Sequence, residues 1–331
     1  MSVLGRIGPF LTTAAASPVV ADLFSTALWT GTGATKVITT NVDVSAGGAI
    51  WIKARSTPTD HSMITTATWS AGDNAVTYPN QTYVRQGYAD YVTAIGSSGF
   101  TLGSNTVVNA SGQTYGGWAF KKAARFFDCG TYTGNGSNRT IAHALTVEPA
   151  MVIVKSTTSV GTDWYVYHLD IAIRTYLTYF VKLNSDSFFL NDTTIFNGTR
   201  ATSSVFSIGT HNGVNQSTVT YEWFAWAHDP ASDGVCLAGG YSGNGSGSGP
   251  TITLGWEPQL IFIKSIGGNA DWVLVDSARG FSGALLSPNL AASEGSTTIL
   301  TANSTGFTLT TGDTRVNGTS GSYSYLAIRK P

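Results

Sequence analysis

Short apolar runs set off by turn residues, rather than long amphipathic stripes, make up this chain. Gln259-Leu-Ile-Phe-Ile-Lys264 is β-branched and aromatic and is bounded by Pro258 and Gly267-Gly268. Such a run is too short for an ordinary helix and predicts a strand. Asp271 to Asp276 predicts the next strand, with Gly267 to Ala270 as the connection. Gly306-Phe-Thr-Leu-Thr-Thr311 alternates apolar and polar with period two, as a strand with one buried face does. Gly249 to Leu254 and Ser322 to Arg329 add two more. Strands at this density predict a sandwich of antiparallel sheets. Helical patterns are few (Val20 to Ala27, Ile171 to Tyr179, Leu290 to Glu294), and none keeps a sustained helical period.

The pattern recurs at a fixed spacing. Tyr132-Thr-Gly-Asn-Gly-Ser137 returns as Tyr241-Ser-Gly-Asn-Gly-Ser246. Each is followed by Glu-Pro (Glu148, Glu257), an apolar run ending in Lys-Ser (Lys155, Lys264), and Asp-Trp (Asp163-Trp164, Asp271-Trp272). A weaker copy starts at Trp29-Thr-Gly-Thr-Gly-Ala34, passes through Ala49 to Lys53 and reaches Asp60-His61. The ends match too: Phe100, Phe206 and Phe307, then Val108-Asn109, Val214-Asn215 and Val316-Asn317, then a Tyr and an apolar segment. A fixed period is the signature of a repeat architecture. The expected fold is therefore all-β, with three tandem antiparallel β-sandwich-like repeats of about 100 residues. The boundaries fall at 1–25 for an N-terminal arm and at 26–128, 129–238 and 239–331 for the repeats.

Composition narrows the chemistry. Charged residues are only 11% and the formal net charge is −1, so no basic nucleic-acid footprint is present. No run of about 20 apolar residues predicts a membrane span. The five His lack zinc-helix spacing and no Cys lies at ligand distance from them, so neither metal nor cofactor is expected. His168-Leu-Asp170 and His228-Asp229 could set a base beside a carboxylate, yet no nucleophile stands in a suitable context. Glu148 and Glu257, two of four Glu, recur with the pattern and read as structural rather than as a glycosidase pair. No catalytic residue is assigned. The Gly-Asn-Gly-Ser stretches read as turns, since they lack the Lys-Ser/Thr of a phosphate loop. Cys129 and Cys236 are either a disulfide at the repeat junctions or two buried thiols, and their small number favours thiols.

Most aromatics fall on predicted strands and are core by default. Trp69, Tyr78, Tyr83, Tyr88 and Tyr91 instead lie among Gly, Pro and Asn, where loops are expected. They are the candidate residues for contact with a carbohydrate or protein surface. Residues 1–25 carry apolar Leu4, Ile7, Phe10 and Leu11 with Gly8-Pro9 and Ser17-Pro18 breaking any helix. They read as an attachment arm rather than a signal peptide, because the basic region is Arg6 alone and the apolar stretch is interrupted.

The order of motifs, including Asp271-Trp-Val-Leu-Val-Asp-Ser-Ala-Arg-Gly280, resembles a tandem-repeat domain of uncharacterised role. That domain is found in tail-fibre-like and other virion proteins of tailed bacteriophages, many of them marine. The resemblance spans about residues 24–331 and implies a virion structural protein, with no catalytic residues to carry over. His61 replaces the Trp of the other copies, and Arg279-Gly280 has no counterpart in the first copy or in the second, which offers Ile173-Arg174-Thr175. Arg279 joins the candidate binding residues on that basis. The expected function is a tail fibre or tail-associated receptor-binding protein on the virion, facing a host surface glycan or protein. The arm would join other virion proteins. The alternatives are a head-surface decoration or vertex protein and, third, a polysaccharide depolymerase. A homotrimer and a pseudo-threefold monomer are both open.

Overall fold

The computed structural model describes residues 19–174 and 176–331. After a short 3-10 turn at Val20–Asp22, the first segment carries β1 (Phe24–Thr30), β2 (Lys36–Thr39), β3 (Gly48–Ala54), β4 (Ser62–Thr65), β5 (Ala75–Val76), β6 (Gln86–Gly87), β7 (Val92–Gly96), β8 (Gly99–Leu102), α1 (Thr106–Asn109) and β9 (Thr114–Lys121). The second carries β10 (Phe127–Thr133), β11 (Arg139–Ala142), β12 (Pro149–Ser156), β13 (Tyr165–His168), α2 (Leu169–Arg174), β14 (Tyr179–Lys182), β15 (Leu190–Asn191), α3 (Thr193–Phe196), β16 (Val205–Ile208), α4 (Asn212–Asn215) and β17 (Thr220–Ala227). The third carries β18 (Cys236–Ser242), β19 (Thr251–Thr253), β20 (Pro258–Ser265), β21 (Val273–Asp276), β22 (Leu300–Asn303), β23 (Gly306–Leu309) and β24 (Ser322–Arg329).

The fold is all-β and every strand pairing is antiparallel. The main sheets run β1-β9-β3-β4, β10-β17-β12-β13 (extended by β14 and β15) and β18-β24-β20-β21. Smaller sheets, β2-β8-β7, β11-β16 and β19-β23-β22, accompany them in turn. The apolar runs are buried on both faces, and their period of two divides them between two cores. In β3, Ile50 and Ile52 pack inside the first segment with Ile38, Phe100 and Leu102, whereas Ala49 and Trp51 enter a core common to all three segments. In β20, Ile261 and Ile263 stay within the third segment, whereas Leu260 and Phe262 enter the common core. Trp51 meets Phe262 there with ring centroids 5.5 Å apart. This double burial is why these strands read as continuous apolar runs rather than alternating ones.

The glycine motifs are turns held by an asparagine. Asn109, Asn215 and Asn317 are fully buried. Their side-chain oxygens accept the amide N–H of Thr32, Asn135 and Asn244, each at 2.9 Å. The first glycine of each motif, Gly31, Gly134 or Gly243, lies so close to a backbone carbonyl that a Cβ would collide with it. The second, Gly33, Gly136 or Gly245, has φ of 68°, 73° or 68°, in the left-handed region that favours glycine. Nearby, the buried Tyr115, Tyr221 and Tyr323 donate from their hydroxyls to the backbone oxygens of Thr106, Asn212 and Thr314.

The strands begin earlier than the sequence pattern predicts. β1, β10 and β18 start at Phe24, Phe127 and Cys236, because these residues already pair with Phe120, Trp226 and Ile328. Val20, Leu23 and Phe24, read as part of the arm, are buried in the common core. The helical pattern over Val20 to Ala27 gives way to a 3-10 turn and β1, and Leu290 to Glu294 is not helical. Leu4, Ile7, Phe10 and Leu11 lie outside the described residues. Cys129 and Cys236 are free, buried thiols, and burial pushes the Cys129 thiol up to about 11. The melting temperature is therefore expected to be the same with and without dithiothreitol, and native protein should resist alkylation at pH 7. A downward shift on reduction would reveal a disulfide.

Candidate ligand-binding cleft

The three segments lock together as a closed ring, and the locking loops build the cleft. Arg85 and Gly161 donate their amide N–H to the Thr157 and Thr82 oxygens, joining the first segment to the second. Ala270 donates to the Asp186 oxygen, joining the second to the third, and Thr59 donates to the Ala291 oxygen, joining the third to the first. A ring nitrogen reinforces each junction. Trp164 Nε1 donates to the Gln81 oxygen at 3.0 Å and Trp272 Nε1 to the Lys182 oxygen at 2.9 Å. At the remaining junction His61 Nε2 lies 3.1 Å from the Ser287 oxygen. His61 Nδ1 accepts the Trp51 indole N–H at 3.0 Å, so the proton sits on Nε2 and the imidazole donates as the tryptophans do.

Beneath these loops Lys53 on β3, Lys155 on β12 and Lys264 on β20 are buried, opposite Gly116, Glu222 and Ser324 in register. Lys264 Nζ donates to the Asp186 and Ala270 oxygens, and Lys53 Nζ to the Ala54 and Ala291 oxygens. Burial pulls all three ammonium groups down to about 8. Phe100, Phe206 and Phe307 are likewise all buried.

Where the first segment meets the second, Tyr78, Tyr83, Tyr88, Asp60 and Gln86 line a cleft of about 470 Å³ together with Val160 of the second segment. Tyr83 is 50% exposed and Tyr88 37%, while Tyr78 forms a deep wall at 6%. The Tyr78 and Tyr83 rings are 6.3 Å apart and nearly perpendicular, at 85°. The Tyr88 ring stacks on the buried Tyr91 with centroids 5.6 Å apart. The Tyr91 hydroxyl is in turn 2.5 Å from Ser62 Oγ. Asp60 Oδ1 accepts from Asn80 Nδ2 and Gln81 Nε2, both at 2.7 Å. Asp60 is the one charged residue of the lining, since Arg85 turns away to pair with Asp73.

Of the expected binding residues, the structure thus brings Tyr78, Tyr83 and Tyr88 to one opening. Tyr91 is fully buried behind them. Trp69 is half-buried against the first segment's core, with Nε1 donating to the Val92 oxygen at 3.0 Å. Arg279 is a correction. Its side chain is 0% exposed and pairs with Asp276 and Glu294. Its guanidinium lies 5.2 Å from the Trp118 ring centroid of the first segment. It ties two segments together from the interior. Asp60, Gln86 and Val160 were not foreseen, although Asp60 stands at the position of Asp163 and Asp271, where an Asp-Asn bond recurs (Asp163–Asn184, Asp271–Asn289). Among the described residues no group of three or more His, Cys, Asp or Glu is placed to hold a metal, and no helix is long and apolar enough to cross a membrane.

Buried titrating groups make the stability of the ring depend on pH. Burial holds His61 well below the ordinary imidazole value and brings His168 down to about 4. Below about 6.5 the unfolded chain takes up protons that these folded imidazoles refuse. Their contribution is complete above that pH and is lost as pH falls toward about 4. Glu222 opposes them. Burial raises it to about 7, so its folded form keeps a proton that the unfolded carboxyl releases above about 4.5. Acidification from pH 7 to 5 is expected to lower the denaturation midpoint, and Glu222→Gln should steepen the fall. A midpoint that rises on acidification would contradict the assignment.

Residues 20–331 match the family described as a domain of unknown function, DUF7483. The chain belongs to that family. The DUF7483 match begins at Val20, where the described structure begins to pack, and embraces all three main sheets and the tyrosine cleft. A comparison of this DUF7483 protein with curated proteins finds no match.

Proposed function

We propose that this protein is a virion structural protein: three copies of one β-sandwich module closed into a pseudo-threefold body that presents the tyrosine cleft to a host surface glycan or protein. The repeat reading is supported by the common strand order and by the shared register of Lys53, Lys155 and Lys264. It is also supported by the shared clamps of Asn109, Asn215 and Asn317. The observation that carries the host-facing role is polarity. Val19 to Ala21 and Arg329 to Pro331 line one groove together with Ser232 and Asp233 of the second crossing between segments. Arg125 of the first crossing bonds Asp229 and Asp233. The first and last described residues and the crossings thus gather at one pole, where Gly48 begins β3 opposite Lys121. Asp60 and Val160 follow the far ends of β3 and β12, so the cleft lies at the other pole, about 20 Å away along the strands.

In this reading residues 1–18 join the particle and the cleft points outward as part of a tail fibre or tail-associated receptor-binding protein. Purified protein should bind host cells and block virion adsorption, and Tyr83→Ala should weaken both by about tenfold while leaving the melting temperature unchanged. Equal blocking by the variant would remove the cleft from the role. The closed ring favours a second reading, a decoration or vertex protein seated on a threefold position of the head. Hundreds of copies per particle, with cell binding absent, would favour it over the tail.

A further inference from the structure

We propose that the tyrosine cleft is a cage for a compact, alkylated ammonium cation. This rests on the host-recognition reading and names the chemical group recognised. A sugar ring stacks on one flat aromatic face. Tyr78 and Tyr83 instead meet at 85°, which makes a corner, and Tyr88 supplies a further wall. Aromatic faces attract a cation within about 6 Å of the ring centroid, and a corner of rings surrounds a ball-shaped group better than a planar one.

Charge points the same way. Asp60 supplies the one carboxylate of the lining, and no Lys or Arg lines the cleft. Both hydrogen bonds to Asp60 from Asn80 and Gln81 fall on Oδ1. Lys53, whose charge is felt at Asp60, directs its Nζ to the Ala54 and Ala291 oxygens instead. Val107 and Val160 give the apolar contact that methyl groups on nitrogen require. An anionic ligand would meet the Asp60 carboxylate with no Lys or Arg in the lining to offset it. Tyr88 stacks on the buried Tyr91 with ring centroids 5.6 Å apart, and Tyr78 is itself buried, so two of the walls are fixed before anything binds, which lowers the ordering cost of binding. At the second junction Asp163 is neutralised by Lys182 at 2.6 Å, and Arg174 lines the pocket beside Phe189; the corresponding loop of the third segment carries Ala291-Ala292. The chemistry is therefore peculiar to the first junction.

The test is a titration of the full chain at low salt with choline chloride and with 3,3-dimethyl-1-butanol, its neutral isostere, followed by calorimetry or NMR. Choline should saturate at millimolar concentrations, and the isostere should bind about three- to thirtyfold more weakly. Tyr83→Leu and Tyr88→Leu, at exposed rings where folding is not in question, should each weaken choline binding by about threefold or more. Asp60→Asn should narrow the gap between the two probes, leaving the part that the rings supply. Equal binding of both probes to the unaltered protein, no choline binding, or choline binding untouched by the Tyr83 and Tyr88 variants would overturn the proposal. Phosphatidylcholine vesicles, run in parallel, identify the carrier: binding assigns the cation to a lipid headgroup, and free choline alone to a soluble or glycan-borne group. Host-cell adsorption is read separately. Adsorption that depends on Tyr83 without choline binding defeats only the ligand class. Choline binding with Tyr83-independent adsorption defeats only the receptor role.

Discussion

Trp272→Ala is expected to lower the unfolding free energy by about 3–5 kcal/mol, the range for emptying a large aromatic site in a packed core. Trp272 is 1% exposed and sits in the core common to the three segments. Its Nε1 also donates to the Lys182 oxygen of the second segment, so the substitution opens a cavity and leaves a carbonyl at a junction without its partner. Its backbone N–H bonds to Asn289 Oδ1, which a change of side chain does not remove. The loss should appear as a lower urea midpoint with the slope retained. Trp164→Ala should behave alike, since Trp164 is 0% exposed and bonds to the Gln81 oxygen. A Trp272→Ala protein with an unchanged midpoint would mean that the segments are not joined there.

Arg279→Met should be of similar size, about 3–5 kcal/mol, for an electrostatic reason. Arg279 and Asp276 both have fully buried side chains. Their bond is 2.6 Å long, and Arg279 also reaches Glu294 at 2.9 Å and the Ala284 and Leu274 oxygens. Removing the cation leaves the Asp276 carboxylate in the interior, with the Trp118 indole N–H at 3.0 Å as a neutral donor. Glu294 keeps Arg55 at 2.7 Å, so the damage concentrates on Asp276. Adding Asp276→Asn should therefore recover part of the loss, because the second change removes the stranded charge. Full stability in Arg279→Met, combined with weaker ligand binding, would return Arg279 to the surface role its sequence context implied.

The contrast between these residues shows what the sequence made legible. Phe100, Phe206 and Phe307 repeat with the chain, and their burial was readable because they alternate with polar residues on short strands; that Lys53, Lys155 and Lys264 are buried as well was not. The glycine turns were readable, since conformation at Gly33 or Gly136 is decided within a few residues. Arg279 was not. Its environment comes from Trp118 and from Arg55 acting through Glu294, far away in the chain. Gly and Pro around Trp69 and Tyr91 announced loops correctly, yet a loop signal says nothing about which side of the loop is covered. Tyr78, Tyr83 and Tyr88 were found by residue type, whereas Val160 comes from another segment and carries no local mark. His61 looked like a departure from the pattern and keeps the junction bond of the tryptophans it replaces.

Ring closure also bears on synthesis. The bond from His61 to Ser287 spans 226 residues and that from Lys53 to Ala291 spans 238. Contacts so distant in sequence delay folding, because the loop they close must be ordered first. While the ribosome is still making the third segment, Trp51 has no Phe262 against it and Trp118 has neither Asp276 nor Arg279. An apolar sheet face is then open to the solvent. A neighbouring chain further along in synthesis carries the missing third, so polysomes and concentrated refolding mixtures favour exchange of segments between chains. The interlock that makes the finished body rigid is thus the step at which two copies can become entangled.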